Sequence, residues 1–94
     1  MNTKELKIYV YVLISMKDGS FHFGQTHDLE MTLLAHNKGN SAFTKKLIPW
    51  ELIASKNVET RSDALKMEQE LRRKKSKNDV LQYMLYNDFE IHLD

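Results

Sequence analysis

A chain of 94 residues has room for one hydrophobic core, since single domains usually take about 100–150 residues. A composition of 41% hydrophobic and 29% charged residues, with three Gly and one Pro, excludes a disordered or fibrous chain, and the lack of Cys excludes disulfides, thiolate zinc sites and thiol nucleophiles. Net charge is only +1 and the pI is near 8.0, below the value of about 9 that marks a strongly basic nucleic-acid binder.

The run Ile8 to Ile14 is the longest apolar stretch. It falls far short of the ~18–20 residues of a membrane span. Met16-Lys17-Asp18 follows where a signal peptide would need small residues, so a single cytoplasmic domain (residues 1–94) without a membrane segment is expected. Residues 8–15 are β-branched and aromatic, which predicts a well-buried strand. Lys17-Asp18-Gly19-Ser20 is turn chemistry, and Phe21-His22-Phe23-Gly24 returns as a second, antiparallel strand ended by Gly24. Asp28 caps a helix that turns Leu29, Leu33 and Leu34 inward and stops at Asn37 to Gly39. Ser41 to Lys46 reads as either a short helix or a loop. Pro49 forces Ile48 into an extended conformation before a third strand, Trp50 to Val58. Thr60 caps a helix of about four turns reaching Ser76; Asn78 breaks it, and a last helix covers Asp79 to Tyr86. The expected fold is α+β, a three-stranded antiparallel sheet flanked by helices, with a core over 8–77 and an acidic helix and tail over 78–94.

Charge is polarised along the chain. Residues 61–77 carry Arg61, Lys66, Arg72, Arg73, Lys74, Lys75 and Lys77 against Asp63, Glu68 and Glu70, for a net +4. After Lys77 there is no Lys or Arg, and Asp79, Asp88, Glu90 and Asp94 give −4. One face for a polyanion and an acidic end elsewhere are the expected outcome. Phosphate contacts are expected from Arg72, Arg73, Lys74, Lys75 and Lys77, joined by Lys38, Lys45 and Lys46.

One carboxylate is out of place. On the long helix Ala64, Leu65, Met67 and Leu71 mark the inward stripe, and Glu68 projects from that stripe, whereas Glu70 points outward with Lys66 and Lys74. A carboxylate on an apolar face is costly unless it is paired or ligates a cation. Helical spacing leaves both readings open: a Glu at the edge of the stripe pairing with Lys, or a metal-binding or catalytic carboxylate.

In order, these motifs resemble the GIY-YIG nuclease family over Tyr9 to about Lys77. Tyr9-Val10-Tyr11 stands at the GIY position and His22-Phe23-Gly24 at YIG. Asp28-Leu29-Glu30, Leu33, His36 and Asn37 fit the following helix; Thr44-Lys45-Lys46, Pro49-Trp50-Glu51-Leu52, Thr60 to Ala64 and Glu68 continue the match. The likeness is greatest to small stand-alone members related to the nuclease subunit of bacterial nucleotide excision repair. It implies a one-metal phosphodiesterase site in which Tyr11 orients or helps activate water, Glu68 ligates Mg²⁺ or Mn²⁺, and His36 matches a side chain found in some members. Asn78 is the nearest candidate for the family's asparagine.

Two positions depart from the pattern: His22 replaces the second tyrosine, and the helix arginine position falls on Thr32, with Met31 before it no better. His22, with an ordinary pKa of about 6.5, suits a general base at neutral pH better than a phenol near 10. Thr32 brings no charge, which leaves Lys45 or Lys46 as the available cation. His22, His27 and His36 match no zinc spacing, and His92 is expected to be solvated. The expected function is an endonuclease-like domain acting on or binding DNA, branched or damaged, with catalysis weakened or lost. The alternatives are an active structure-specific endonuclease using His22 and Glu68, and a protein-interaction domain using exposed Tyr83, Tyr86 and Phe89. The length leaves no room for a second DNA-binding domain, so cutting both strands is expected to need a protein partner or homodimer. His22 and Glu68 are expected to share one shallow pocket rimmed by lysines.

Overall fold

The structure, a computed structural model, describes residues 7–92. The β-branched run forms strand β1 (Ile8–Ser15), and the Asp18-Gly19 turn returns it as β2 (Phe21–Thr26). Gly19 takes the turn's positive φ of 79°. Helix α1 (Leu29–Asn37), a single 3-10 turn (Lys45–Leu47), β3 (Trp50–Val58), α2 (Arg61–Arg73), α3 (Lys77–Tyr86) and β4 (Glu90–Ile91) follow. The sheet order is β2-β1-β3-β4, and every pairing is antiparallel. Side-chain caps set the helix starts: Asp28, Thr60 and Ser76 accept from the backbone N–H groups of Met31, Asp63 and Asp79 at 3.0, 3.0 and 3.1 Å.

The α+β class with an antiparallel sheet is as expected, but the sheet has four strands rather than three. Ser55 and Ala54 pair with Glu90 and Ile91, and His92 N–H donates to the Ile53 carbonyl at 2.8 Å. Two residues are too few to show alternation, so only the neighbouring strand defines them. Strand β2 continues beyond Gly24 because Tyr9 and Val10 still offer partners to Thr26 and Gln25. Helix α2 stops at Arg73, with Lys74 extended. Ser76 opens α3, so Asn78 lies in that helix's first turn and breaks nothing. Leu65 and Leu34, expected to face inward, are exposed.

Helices cover both faces of the sheet. On one face Val10, Val12 and Ala54 pack with Ala64 and Leu71 of α2, Val80 and Met84 of α3, and Phe89. The segment after residue 77 is therefore part of the main core. On the other face Tyr11, Leu13 and Trp50 pack with Leu29 and Leu33 of α1 and with Leu47, Ile48 and Leu52. A bulge in β3 makes this division possible. Val12 faces Ala54 but Leu13 faces Leu52, so Ile53 is an extra residue. One extra residue flips the face of every side chain beyond it. Trp50 and Leu52 thereby turn to the α1 side, while Ala54 stays on the α2 side.

Because Phe89 is buried in the main core, Phe89→Ala should destabilise the fold by about 3–5 kcal/mol. A fall in the urea midpoint at unchanged slope is the measurement; a midpoint within error of the parent would show that the segment after α3 is not part of the core.

Candidate functional site

Strand alternation puts Tyr11 on the α1 face, opposite Gly24 of β2. Its ring crosses the place a side chain at 24 would fill: a Cβ built there would lie 2.6 Å from Tyr11 Cζ, so only glycine permits the passage. The phenol thus reaches the outer edge of the sheet. His22, two residues earlier on β2, lies on the same face. Its ring is 4.9 Å from His36, 5.9 Å from Trp50 and 6.2 Å from Tyr11, between centroids. His36, on the last turn of α1, has Nε2 3.4 Å from the Tyr11 hydroxyl and Nδ1 2.7 Å from Thr44 Oγ1. Both contacts are satisfied when Tyr11 O–H donates to Nε2 and Nδ1–H donates to Thr44. Thr44 is fixed in turn, because its carbonyl accepts the Trp50 indole N–H at 2.9 Å.

Glu68 approaches the same edge from the opposite face. It is buried at 6% exposure on the α2 stripe, beside Ala64 and Leu71. Gln25 Nε2 donates to its Oε2 at 2.7 Å, and Arg72 Nη2 donates to its Oε1 at 3.1 Å. Arg72, with its side chain 52% exposed, also donates to the Phe23 carbonyl at 3.1 Å. Arg61 Nη1 donates to Gln25 Oε1 at 2.8 Å, which completes the chain Arg61–Gln25–Glu68–Arg72 along β2. The single pocket expected for His22 and Glu68 is not what forms: β2 lies between them, and arginines rather than lysines stand beside the acid.

Electrostatics still join the two faces. Burial raises the Tyr11 pKa above 10, and the Glu68 charge raises it further while Arg72 opposes. The phenol is therefore protonated at neutral pH. His22 is held below 6.5 chiefly by burial, then by His36 and Arg72, against the opposing pull of Glu68. Burial also lowers His36. Both imidazoles are neutral at pH 7, as proton acceptance requires.

The other expected residues divide. Thr32 donates its hydroxyl to Thr26 Oγ1 at 2.7 Å, a local bond with no cation in it. Lys38, Lys45 and Lys46 are exposed on the α1 side, the last two immediately after Thr44. Three side chains of the basic run have local partners. Arg72 is drawn to Glu68, Lys74 Nζ lies 5.0 Å over the Tyr83 ring, and Lys77 Nζ lies 5.4 Å over Phe21; Arg73 and Lys75 are exposed. His27 is an exposed turn residue, and Asn78 is exposed on α3. His92 is half-buried, with Nε2 2.8 Å from Ser55 Oγ, rather than simply solvated. Phe89 is buried and Tyr83 half-buried, with its hydroxyl donating to Glu70 at 2.6 Å, so Tyr86 alone of the three expected aromatics is free on the surface. Glu70 is thus half-buried and engaged rather than simply outward. Sequence reasoning missed Gln25 and Arg61. Gln25 could have been found: alternation puts it on the face of Phe21 and Phe23, a polar side chain on an apolar face, as Glu68 is.

The family model for the GIY-YIG catalytic domain matches residues 7–87. The chain belongs to the GIY-YIG family. It is similar to a UPF0213 protein of Staphylococcus saprophyticus, 38% identical over 67 residues that cover 70% of this chain and 80% of the relative. It is also similar to a UPF0213 protein of Streptococcus pneumoniae, 37% identical over 70 residues covering 73% of this chain and 70% of the relative. A UPF0213 protein of Staphylococcus epidermidis is 36% identical over 67 residues, covering 70% and 80% of the two chains. No solved structure matches. GIY-YIG domains are nuclease-like, and the family's nucleases generally depend on a divalent metal ion.

Among the described residues no three His, Asp or Glu side chains converge as a metal cage. Glu68 fits a different arrangement. Each carboxylate oxygen has two lone pairs, and Gln25 and Arg72 take one apiece. What remains suits an ion such as Mg²⁺, which binds through one or two carboxylates and fills its other positions with water and phosphate oxygens.

Two outcomes test this geometry. Gly24→Ala must displace the Tyr11 ring or the β2 backbone and should cost about 1–3 kcal/mol, read as a lower urea midpoint; full retention of stability would show that the phenol does not need the gap. In an NMR titration His22 and His36 should change charge below pH 6.5. The unfolded chain then binds the proton more readily than the folded one, so stability falls as pH drops from about 6.5 through the folded values. Titration of both rings at or above 6.5 would contradict the burial assigned to them.

Proposed function

We propose that this chain is an endonuclease-like DNA-binding domain whose phosphodiester cleavage is weakened by the missing helix cation. The observation that carries this reading is the bond of Thr32 to Thr26 at the position where the family pattern calls for arginine. Where an arginine stabilises phosphoryl transfer, its loss typically costs about 10³–10⁵ in rate, or roughly 4–7 kcal/mol of barrier.

The remaining groups support residual chemistry. Glu68 would hold Mg²⁺ or Mn²⁺, which when bound would supply Lewis-acid charge to a phosphoryl oxygen. His22, neutral at pH 7 and open to the edge of the sheet, would accept the proton of the attacking water. Tyr11, kept protonated and anchored by His36, would orient that water rather than ionise. Arg72 is the cation standing beside these groups, but its guanidinium is committed to Glu68 and Phe23, so it compensates only in part. Lys38, Lys45 and Lys46 would hold the strand by its phosphates. Cutting both strands would take a second copy or a partner protein.

The test is Mg²⁺- or Mn²⁺-dependent nicking of branched and duplex DNA. Restoring both family residues, His22→Tyr with Thr32→Arg, should raise the nicking rate at least 100-fold, and Glu68→Ala in that background should abolish it. An unchanged or lower rate in the double variant, with the fold intact by circular dichroism, would overturn the reading that the missing cation limits catalysis.

A further inference from the structure

Phe43, the aromatic between α1 and β3, is covered by none of the described residues: it is 85% exposed. The loop that carries it is firmly built. Ser41 carbonyl accepts the N–H groups of Thr44 and Lys45 at 3.2 and 3.0 Å, and Leu47 N–H donates to Thr44 carbonyl at 3.0 Å. Thr44 itself is buried, bonded through its hydroxyl to His36 and through its carbonyl to Trp50. The ring is therefore held outward from a fixed backbone, one residue away from a group that touches the Tyr11–His36 pair.

Charge and shape identify what such a ring would meet. Between Glu30 and Glu51 the chain carries Lys38, Lys45 and Lys46 and no carboxylate. The ring's sequence neighbours, Ser41, Ala42, Thr44 and Lys45, are small, polar or charged. With only positive charge in this segment, a polyanion is the complementary partner. A flat apolar face beside fixed positive charge is what single-stranded nucleic acid recognises: phosphates meet the lysines and a base stacks on the ring. Bases inside a duplex are already stacked on one another, so only an unpaired base can use it.

We propose that Phe43 is a stacking platform for an unpaired nucleobase, and that the DNA this chain prefers has a single-stranded segment next to the phosphate held at the Tyr11–His36 cluster. The proposal rests on the DNA-binding reading given above and narrows its substrate class.

Fluorescence anisotropy with two labelled probes, a duplex bearing a single-stranded flap and a blunt duplex of equal length, separates the two. The unaltered chain should bind the flap more tightly. Phe43→Ala should weaken flap binding about 5- to 100-fold and leave blunt-duplex binding and thermal stability unchanged. Phe43→Trp provides a direct readout, because Trp50 is buried and the new indole would be exposed. Its fluorescence should be quenched by the flap and not by the blunt duplex. Equal flap affinity in Phe43→Ala, or an unquenched indole while anisotropy reports binding, would overturn stacking and leave DNA binding standing. Failure of the unaltered chain to bind either probe at low salt would overturn DNA binding, and stacking with it.

Discussion

A carboxylate withdrawn from water ties helix α2 to the edge strand, and the geometry of the whole site follows from how it is satisfied. Leaving Glu68 buried and unpartnered would cost several kcal/mol, so its two oxygens must find donors. Gln25 and Arg72 provide them, and each also grips something else, Arg61 in one case and the Phe23 backbone in the other. Among the described residues β2 has no strand on its outer side, yet α2 holds it at two alternate residues, Phe23 and Gln25. That fixes Gly24, which lies between Phe23 and Gln25, and with it the gap through which the Tyr11 ring passes. The acid thus influences the phenol mechanically, through the strand, as well as by its charge.

The two faces of β2 carry complementary chemistry. On the α1 side stand groups that are neutral at pH 7: a protonated phenol and two imidazoles whose charged forms burial disfavours. On the α2 side stand the Glu68 carboxyl group and the Arg72 guanidinium beside it. The edge strand β2, with Gly24 at its middle, separates the two sets of groups. His22, kept neutral at pH 7 chiefly by burial, belongs to the uncharged side of this division. Thr32 of α1, bonded to Thr26, adds no charge to that side.

How much of this was legible depended on the length over which a pattern repeats. Six β-branched or aromatic residues within Ile8–Ser15, with Asp-Gly soon after, marked a buried strand and a hairpin, and the Asp28 and Thr60 caps marked two helices. Glu68 was flagged because a helix shows its faces through spacing. Strand β4 and the bulge at Ile53 were not legible, because each involves only one or two residues and is defined by a neighbouring strand. The end of α2 was misplaced because Lys, Arg and Ser all tolerate helix, and the competing cap at Ser76 decided the matter. Phe89 sits in an acidic stretch whose charge suggested a solvated tail, although one aromatic at the right place is enough to fasten it to the core. Tertiary partners such as Gln25 for Glu68 and Thr44 for His36 need the fold itself.

The two-residue strand β4 has an effect beyond its few contacts. Strand β3 is nine residues long, and without Glu90, Ile91 and the His92 amide part of its outer rim of carbonyls and amides would face solvent. An open rim of that kind templates the addition of another chain, the route to domain swapping and aggregation. The last acidic segment therefore doubles as a guard rail: proteolysis just before residue 90 would leave the hairpin and His22 in place while giving the molecule a self-adhesive flank.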